Sequence, residues 1–180
     1  MRRSPSQTIG PFFGMALPWP GGPFVVKEGT AGAIRLRGRV LDGAGEAVPD
    51  ALVEIWQADA DGRIADAAND PDAFRGFGRC PTDRDGGYAF LTVKPGRVRG
   101  ADGATHAPHV LVSVFARGLL KRAVTRIYFP DEVETNRVDP VLLQVGDARD
   151  RATLLAAKTD GGYVFDIRLQ GKGETVFFEP

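Results

Sequence analysis

Two histidines, His106 and His109, stand three residues apart, a spacing that on a helix would turn both imidazoles toward one metal ion. Their surroundings read instead as a loop entering a strand, where that spacing sends side chains to opposite faces. No carboxylate or cysteine nearby completes a metal set, so both are read as structural. Asp59 and Asp61, like Asp83 and Asp85, have the spacing of paired acids. Both pairs fall in glycine-bearing turns, where aspartate serves turn geometry. Arg35, Arg37 and Arg39 alternate with apolar residues and predict a solvated strand face. No nucleophile motif, phosphate loop or dinucleotide fingerprint is present.

Composition narrows the class. The chain of 180 residues is long enough for one domain with a sizeable core. Lys and Arg total 23, as do Asp and Glu, and this zero balance gives no electrostatic reason to bind nucleic acid or an anionic membrane. The lone cysteine, Cys80, forms no intrachain disulfide and cannot build a thiolate metal site, which suits a reducing compartment. The basic start carries no apolar run behind it, and no stretch approaches membrane-spanning length, so the chain is read as soluble and cytoplasmic.

The elements that must position any site read as strands. Glycines (23) and prolines (13) punctuate short apolar runs throughout, the pattern of an all-β domain. Strands are expected at Ile34–Val40, Ala51–Trp56, Tyr88–Val93, His109–Phe115, Val124–Phe129 and Tyr163–Gln170. The run from His109 is apolar enough to be covered on both faces. Tyr163, Phe165, Ile167 and Leu169 should share one face. A short turn is expected over 131–136 and a short helix over 150–158. Frequent turns favour an antiparallel β-sandwich. Residues 1–33, rich in proline, glycine and aromatics, are expected to form an irregular arm, and 34–180 the sandwich domain.

Longer strings carry a stronger signal. They are Ser6-Gln-Thr-Ile-Gly-Pro-Phe12, Leu52-Val-Glu-Ile-Trp-Gln-Ala-Asp-Ala-Asp-Gly62, Gly87-Tyr-Ala-Phe90, Thr92-Val-Lys-Pro-Gly96 and Ala107-Pro-His-Val110. Val112-Ser-Val-Phe-Ala-Arg-Gly118, Thr125-Arg-Ile-Tyr-Phe129 and the closing Gly173-Glu-Thr-Val-Phe-Phe178 follow. In this order and spacing the chain resembles the intradiol ring-cleavage dioxygenases almost end to end, and more narrowly the alpha chains of their two-chain members. The stretch between Pro18 and Ala33 is shorter than that family leads one to expect.

The resemblance implies a transthyretin-like sandwich and a ferric iron held by two tyrosines and two histidines. Hard phenolate oxygens suit ferric iron, and imidazoles complete the set. Matched by motif, the tyrosine positions hold Ile64 and Val98, and the His-x-His pair holds His109 and Leu111. Aliphatic side chains cannot coordinate a metal, and Tyr88, Tyr128 and Tyr163 do not match ligand positions. The expectation is a chain without a metal site or catalytic residue of its own, beside a beta chain that holds Fe(III).

In that arrangement Thr8, Gly10, Pro11 and Arg117 would line the pocket for a small aromatic substrate. Gly10 lets backbone approach a ligand closely, and Arg117 offers a fork suited to a carboxylate. The implied reaction is O2-dependent opening of 3,4-dihydroxybenzoate between its hydroxyls to 3-carboxy-cis,cis-muconate. Two other readings stay open: a non-catalytic binding module, and a purely architectural subunit in which Arg117 makes an interchain salt bridge.

Overall fold

A period of two in the apolar residues gives each strand one face for a core and one for something else. The computed structural model describes residues 7, 8, 10, 12–64, 74–100 and 103–179. Its strands are β1 (Ala33–Leu41), β2 (Leu52–Trp56), β3 (Phe77–Pro81), β4 (Gly87–Val93), β5 (Val98–Arg99), β6 (Thr105–His106), β7 (His109–Phe115) and β8 (Ala123–Tyr128). They are followed by β9 (Ala157–Thr159), β10 (Gly162–Val164) and β11 (Ile167–Arg168). Four short helices accompany them: α1 (Phe13–Ala16), α2 (Val133–Asn136), α3 (Pro140–Gln144) and α4 (Ala148–Ala152).

Two sheets face each other, as the all-β sandwich requires. One runs β3-β2-β7-β8, entirely antiparallel. In the other, β1 pairs antiparallel with β4 and, on its other edge, in parallel with β10 and then β11. The sandwich is therefore antiparallel except along that one edge. Leu36 and Val40 from β1, Val53 and Ile55 from β2, and Val110, Val112 and Val114 from β7 close the core with Phe90, Ile127, Phe129 and Phe165. Arg35, Arg37 and Arg39 point to solvent, and only Arg39 is tied down, to Asp166.

The expected strand over 163–170 is broken. Tyr163, Phe165 and Ile167 do share the core face, with Leu169 packed against it, but the ladder stops at Phe165 and Asp166. There Asp166 Oδ1 accepts from Arg39 N at 2.9 Å, and Tyr88 Oη donates to Phe165 O at 2.6 Å. A Cβ at position 38 would lie 1.8 Å from Phe165 O, so Gly38 is what admits the close approach. The expected helix over 150–158 is instead α4, which ends at Ala152, followed by β9. The outer face of β7 is covered in part: His109 is buried, Ser113 and Phe115 are half-buried, and Leu111 is 39% exposed.

The outer face of the β3-β2-β7-β8 sheet is half dressed. Across one rung lie Phe77, Trp56, Leu111 and Arg126. Trp19, from the segment before β1, stacks on Phe77 with ring centroids 5.9 Å apart. Arg79 ion-pairs with Glu54, donates to Leu17 O at 2.8 Å and lies over the Trp19 ring. An arginine shared between a carboxylate, a carbonyl and an aromatic face holds that segment at the β3 edge. The remainder of the rung, from Trp56 to Leu111, stays open.

Candidate functional site

The open part of the rung ends in a small cavity. About 180 Å³ in volume, it is lined by Trp56, Gln57, Ala58, Ile64, Val98, His109 and Leu111. Trp56 and Leu111 reach it because they are cross-strand partners on the outer face of β2 and β7. His109, two residues before Leu111, shares that face. Ile64 and Val98 arrive from loops that glycine presses together. Gly62 has φ +83° and a Cβ there would meet Arg97 O at 1.9 Å, while Gly96 N donates to Asp59 O at 2.8 Å. Asp59 Oδ1 in turn accepts from Asp61 N and Arg63 N, which is the turn-forming role expected of it.

All four positions matched to iron ligands thus meet at one cavity. Ile64, Val98 and Leu111 offer no lone pair, which leaves His109 as the single donor among them. The residues present do not fit a ferric ion, which needs several oxygen or nitrogen donors. Among the described residues no group of three or more His, Cys, Asp or Glu is placed to hold a metal. The three tyrosines are engaged elsewhere: Tyr88 Oη donates to Phe165 O, Tyr128 Oη to Asp139 and Tyr163 Oη to Asp131. Burial pushes all three phenols up, aided by the negative charge of Asp166 near Tyr88, Asp139 at Tyr128 and Asp131 at Tyr163, and keeps them protonated.

His109 is buried and neutral. Desolvation lowers its pKa to about 4, opposed by its hydrogen bond to Ala107 O at 2.8 Å. A carbonyl only accepts, so Nδ1 carries the proton and Nε2 is left as a bare acceptor. The expectation that His106 and His109 diverge is overturned: their ring centroids are 5.9 Å apart. The chain turns at Ala107 and Pro108 between β6 and β7, so the alternation of a single strand does not apply.

A carboxylate also lies beside the pair, contrary to the sequence reading. Asp139, wholly buried, has Oδ2 3.6 Å from His106 Nδ1. Its oxygens are committed: it accepts from Val141 N and Leu142 N as the N-cap of α3, from Tyr128 Oη, and from Ala107 N. Asp139-Pro140 is the signature that could have revealed it, an N-cap followed by proline at the first helical position. The outcome is a buried hydrogen-bond network behind His109.

Of the residues expected to touch substrate, Arg117 lies away from this cavity. Arg117 follows the last residues of β7; six residues from Leu111 is about 20 Å of extended chain, so Arg117 does not reach its own chain's cavity. Its Nε pairs with Asp50 Oδ2 at 2.8 Å, with side chains 72% and 39% exposed. Thr8 is exposed, Gly10 takes φ +75° with open space around it, and Pro11 lies outside the described residues. Gln7, next to Thr8, shares a cavity with Phe115, Ala116 and Leu119. Gln7 of the opening string and Phe115 and Ala116 of the Phe-Ala-Arg-Gly stretch therefore meet at one cavity.

Comparison with known proteins places the chain in a family. The model of the family described as Dioxygenase matches residues 10–171. The protocatechuate 3,4-dioxygenase alpha chain of Pseudomonas putida is 44% identical over 192 residues, covering 98% of this chain and 96% of that one. The protocatechuate 3,4-dioxygenase beta chain of Burkholderia cepacia is 40% identical over 157 residues, covering 79% of this chain and 66% of that one. Among solved structures, hydroxyquinol 1,2-dioxygenase of Pseudomonas putida DLL-E4 superimposes with a TM-score of 0.63 at 22% identity, over 93% of this chain and 68% of that one. That last likeness bears on the fold alone.

Proposed function

This chain belongs to the dioxygenase family, and we propose that it is the iron-free alpha-type subunit of a protocatechuate 3,4-dioxygenase. The observation that carries the reading is the donor set of the cavity. Where family resemblance calls for two tyrosines and two histidines, this chain brings Ile64, Val98 and Leu111 together with one histidine. Likeness to an alpha chain nevertheless runs over 98% of its length. A chain that keeps the fold and loses the donors fits a division of labour in which a beta-type partner holds Fe(III).

The share of this chain in the reaction is to bind and orient. Arg117 reaches into the partner's pocket, a role supported by the exposure of its ion pair to Asp50. Exchanging that carboxylate for the substrate's is inexpensive, because exposed pairs contribute only about 0–1 kcal/mol. Thr8, Gly10 and Pro11 line the same pocket, with Gly10 allowing backbone to pass close to the ring. The assembly opens 3,4-dihydroxybenzoate with O2 to 3-carboxy-cis,cis-muconate, a step of aromatic catabolism in the β-ketoadipate pathway, in the cytoplasm. Among the described residues no helix is long and apolar enough to cross a membrane.

The Arg117–Asp50 pair favours one competing reading, that of a purely architectural subunit whose arginine only braces the end of β7. Co-expression with a beta-type chain decides whether the two act together. The proposal expects stoichiometric co-purification and O2 uptake with 3,4-dihydroxybenzoate, neither chain alone reaching the rate of the pair. A monodisperse monomer of this chain that leaves the partner's activity unaltered overturns it.

A further inference from the structure

We propose that the cavity beside His109 is a binding site in its own right, for a neutral single-ring phenol that is held without being transformed. The proposal stands on the cavity's geometry and does not rest on the subunit reading. Its walls are Trp56, Ala58, Ile64, Val98 and Leu111, all apolar, with Gln57 and His109 as the polar members. Gln57 is spent: its Nε2 donates to Ala58 O and Val93 O, and its Oε1 accepts from Thr92 Oγ1. His109 is not, because Nδ1 donates to Ala107 O and, among the described residues, no donor is placed against Nε2. One apolar chamber therefore presents one unmet acceptor.

Size and charge select the ligand. Apolar protein cavities of about 150 Å³ take up a benzene ring, and this one measures about 180 Å³. A benzene ring with one small substituent fills it. A hydroxyl on that ring supplies the donor that Nε2 lacks, and Trp56 supplies an aromatic wall. Among the described residues no ionised side chain lines the cavity. Arg126, on the same rung as Leu111, turns its Nη1 toward His106 Nδ1 and Tyr128 Oη, both at 3.4 Å. A benzoate seated with its carboxylate toward His109 would bury its charge without a partner, a cost that disfavours it. The cavity thus discriminates against the carboxylated ring that the proposed assembly cleaves and favours its uncharged relatives.

The test uses 4-fluorophenol, followed by fluorine NMR, on the full chain in whatever assembly it purifies with, at pH 7 where the phenol is neutral. Saturable binding is expected, tighter than that of fluorobenzene by about two- to tenfold, the equivalent of one hydrogen bond. No saturable binding of 4-fluorobenzoate to this cavity is expected. Leu111→Trp and Val98→Phe each fill the space and should abolish the phenol signal. His109→Leu should retain the ring but erase the preference for phenol over fluorobenzene. Binding at a partner's ferric iron is told apart by paramagnetic broadening and by its persistence in Leu111→Trp. Either no saturable binding, or binding untouched by both Leu111→Trp and Val98→Phe, overturns the proposal. So does an undiminished phenol preference in His109→Leu.

Discussion

Removing the Arg117 guanidinium separates a pocket role from a bracing role. Its one ion pair within the chain, Nε to Asp50 Oδ2 at 2.8 Å, joins side chains that are 72% and 39% exposed. Pairs so open to water contribute about 0–1 kcal/mol to stability. In a chain of 180 residues that is at most about 2–4 °C in melting temperature, so Arg117→Ala should stay folded and assembled. Substrate binding should suffer more. A hydrogen bond to a charged group contributes about 1.5–3 kcal/mol, or roughly ten- to a hundredfold in affinity. Steady-state oxygen uptake by the assembled enzyme should therefore show KM for 3,4-dihydroxybenzoate raised by about that factor. KM for catechol, which lacks the carboxylate, should move far less, and the iron content should not change. Asp50→Ala provides the complement, freeing Arg117 without removing it, and should leave the KM for 3,4-dihydroxybenzoate unraised. Equal losses for both substrates, or an assembly that falls apart, would show that Arg117 is an interface residue and refute the pocket role.

Other consequences follow from the geometry. Gly62→Ala forces a side chain into φ +83° and against Arg97 O, and should cost about 2 kcal/mol or more, read as a lower melting temperature. Gly146→Ala, with open space and no positive φ, should be nearly silent. Asp139→Ala removes the cap of α3 and strands Tyr128 Oη and Ala107 N in the interior, so a loss of roughly 3–5 kcal/mol in denaturant unfolding is expected. His109 is held neutral in the fold, with its pKa lowered to about 4 from 6.5. The unfolded chain therefore binds the extra proton between those values, and stability should fall as pH drops from about 6.5 to 4. His109→Gln should flatten that part of the curve, and an unchanged slope would place the titrating group elsewhere.

How much of this was legible in the sequence depends on the range of the interaction. Alternation located β1, and apolar runs bounded by turn residues located β2, β4, β7 and β8, each to within a residue or two, because a buried strand between turns is written locally. β3 went unread: Phe77-Gly-Arg-Cys-Pro81 carries a glycine and a proline in five residues, and it pairs through long-range partners on β2. The break at Phe165 and Asp166 was equally invisible, since it depends on Gly38, more than a hundred residues earlier, admitting a carbonyl. At the site, motif order alone assigns Ile64, Val98, His109 and Leu111 to one place, and the fold brings them there. The alternation rule failed for His106 and His109 because they belong to two different strands. Asp139 was missed because its hydrogen bonds to Ala107 and Tyr128 span 32 and 11 residues.

The central claim is that this chain keeps the dioxygenase fold while leaving the metal to a partner. Iron analysis of the purified chain, alone and co-purified with a beta-type partner, tests it most directly. The account predicts no stoichiometric iron and no colour from phenolate-to-ferric charge transfer for the chain alone. The pair should hold one ferric ion per partner chain, unaffected by His109→Leu in this subunit. One tightly bound iron per chain in the isolated protein, lost in His109→Leu, would contradict it.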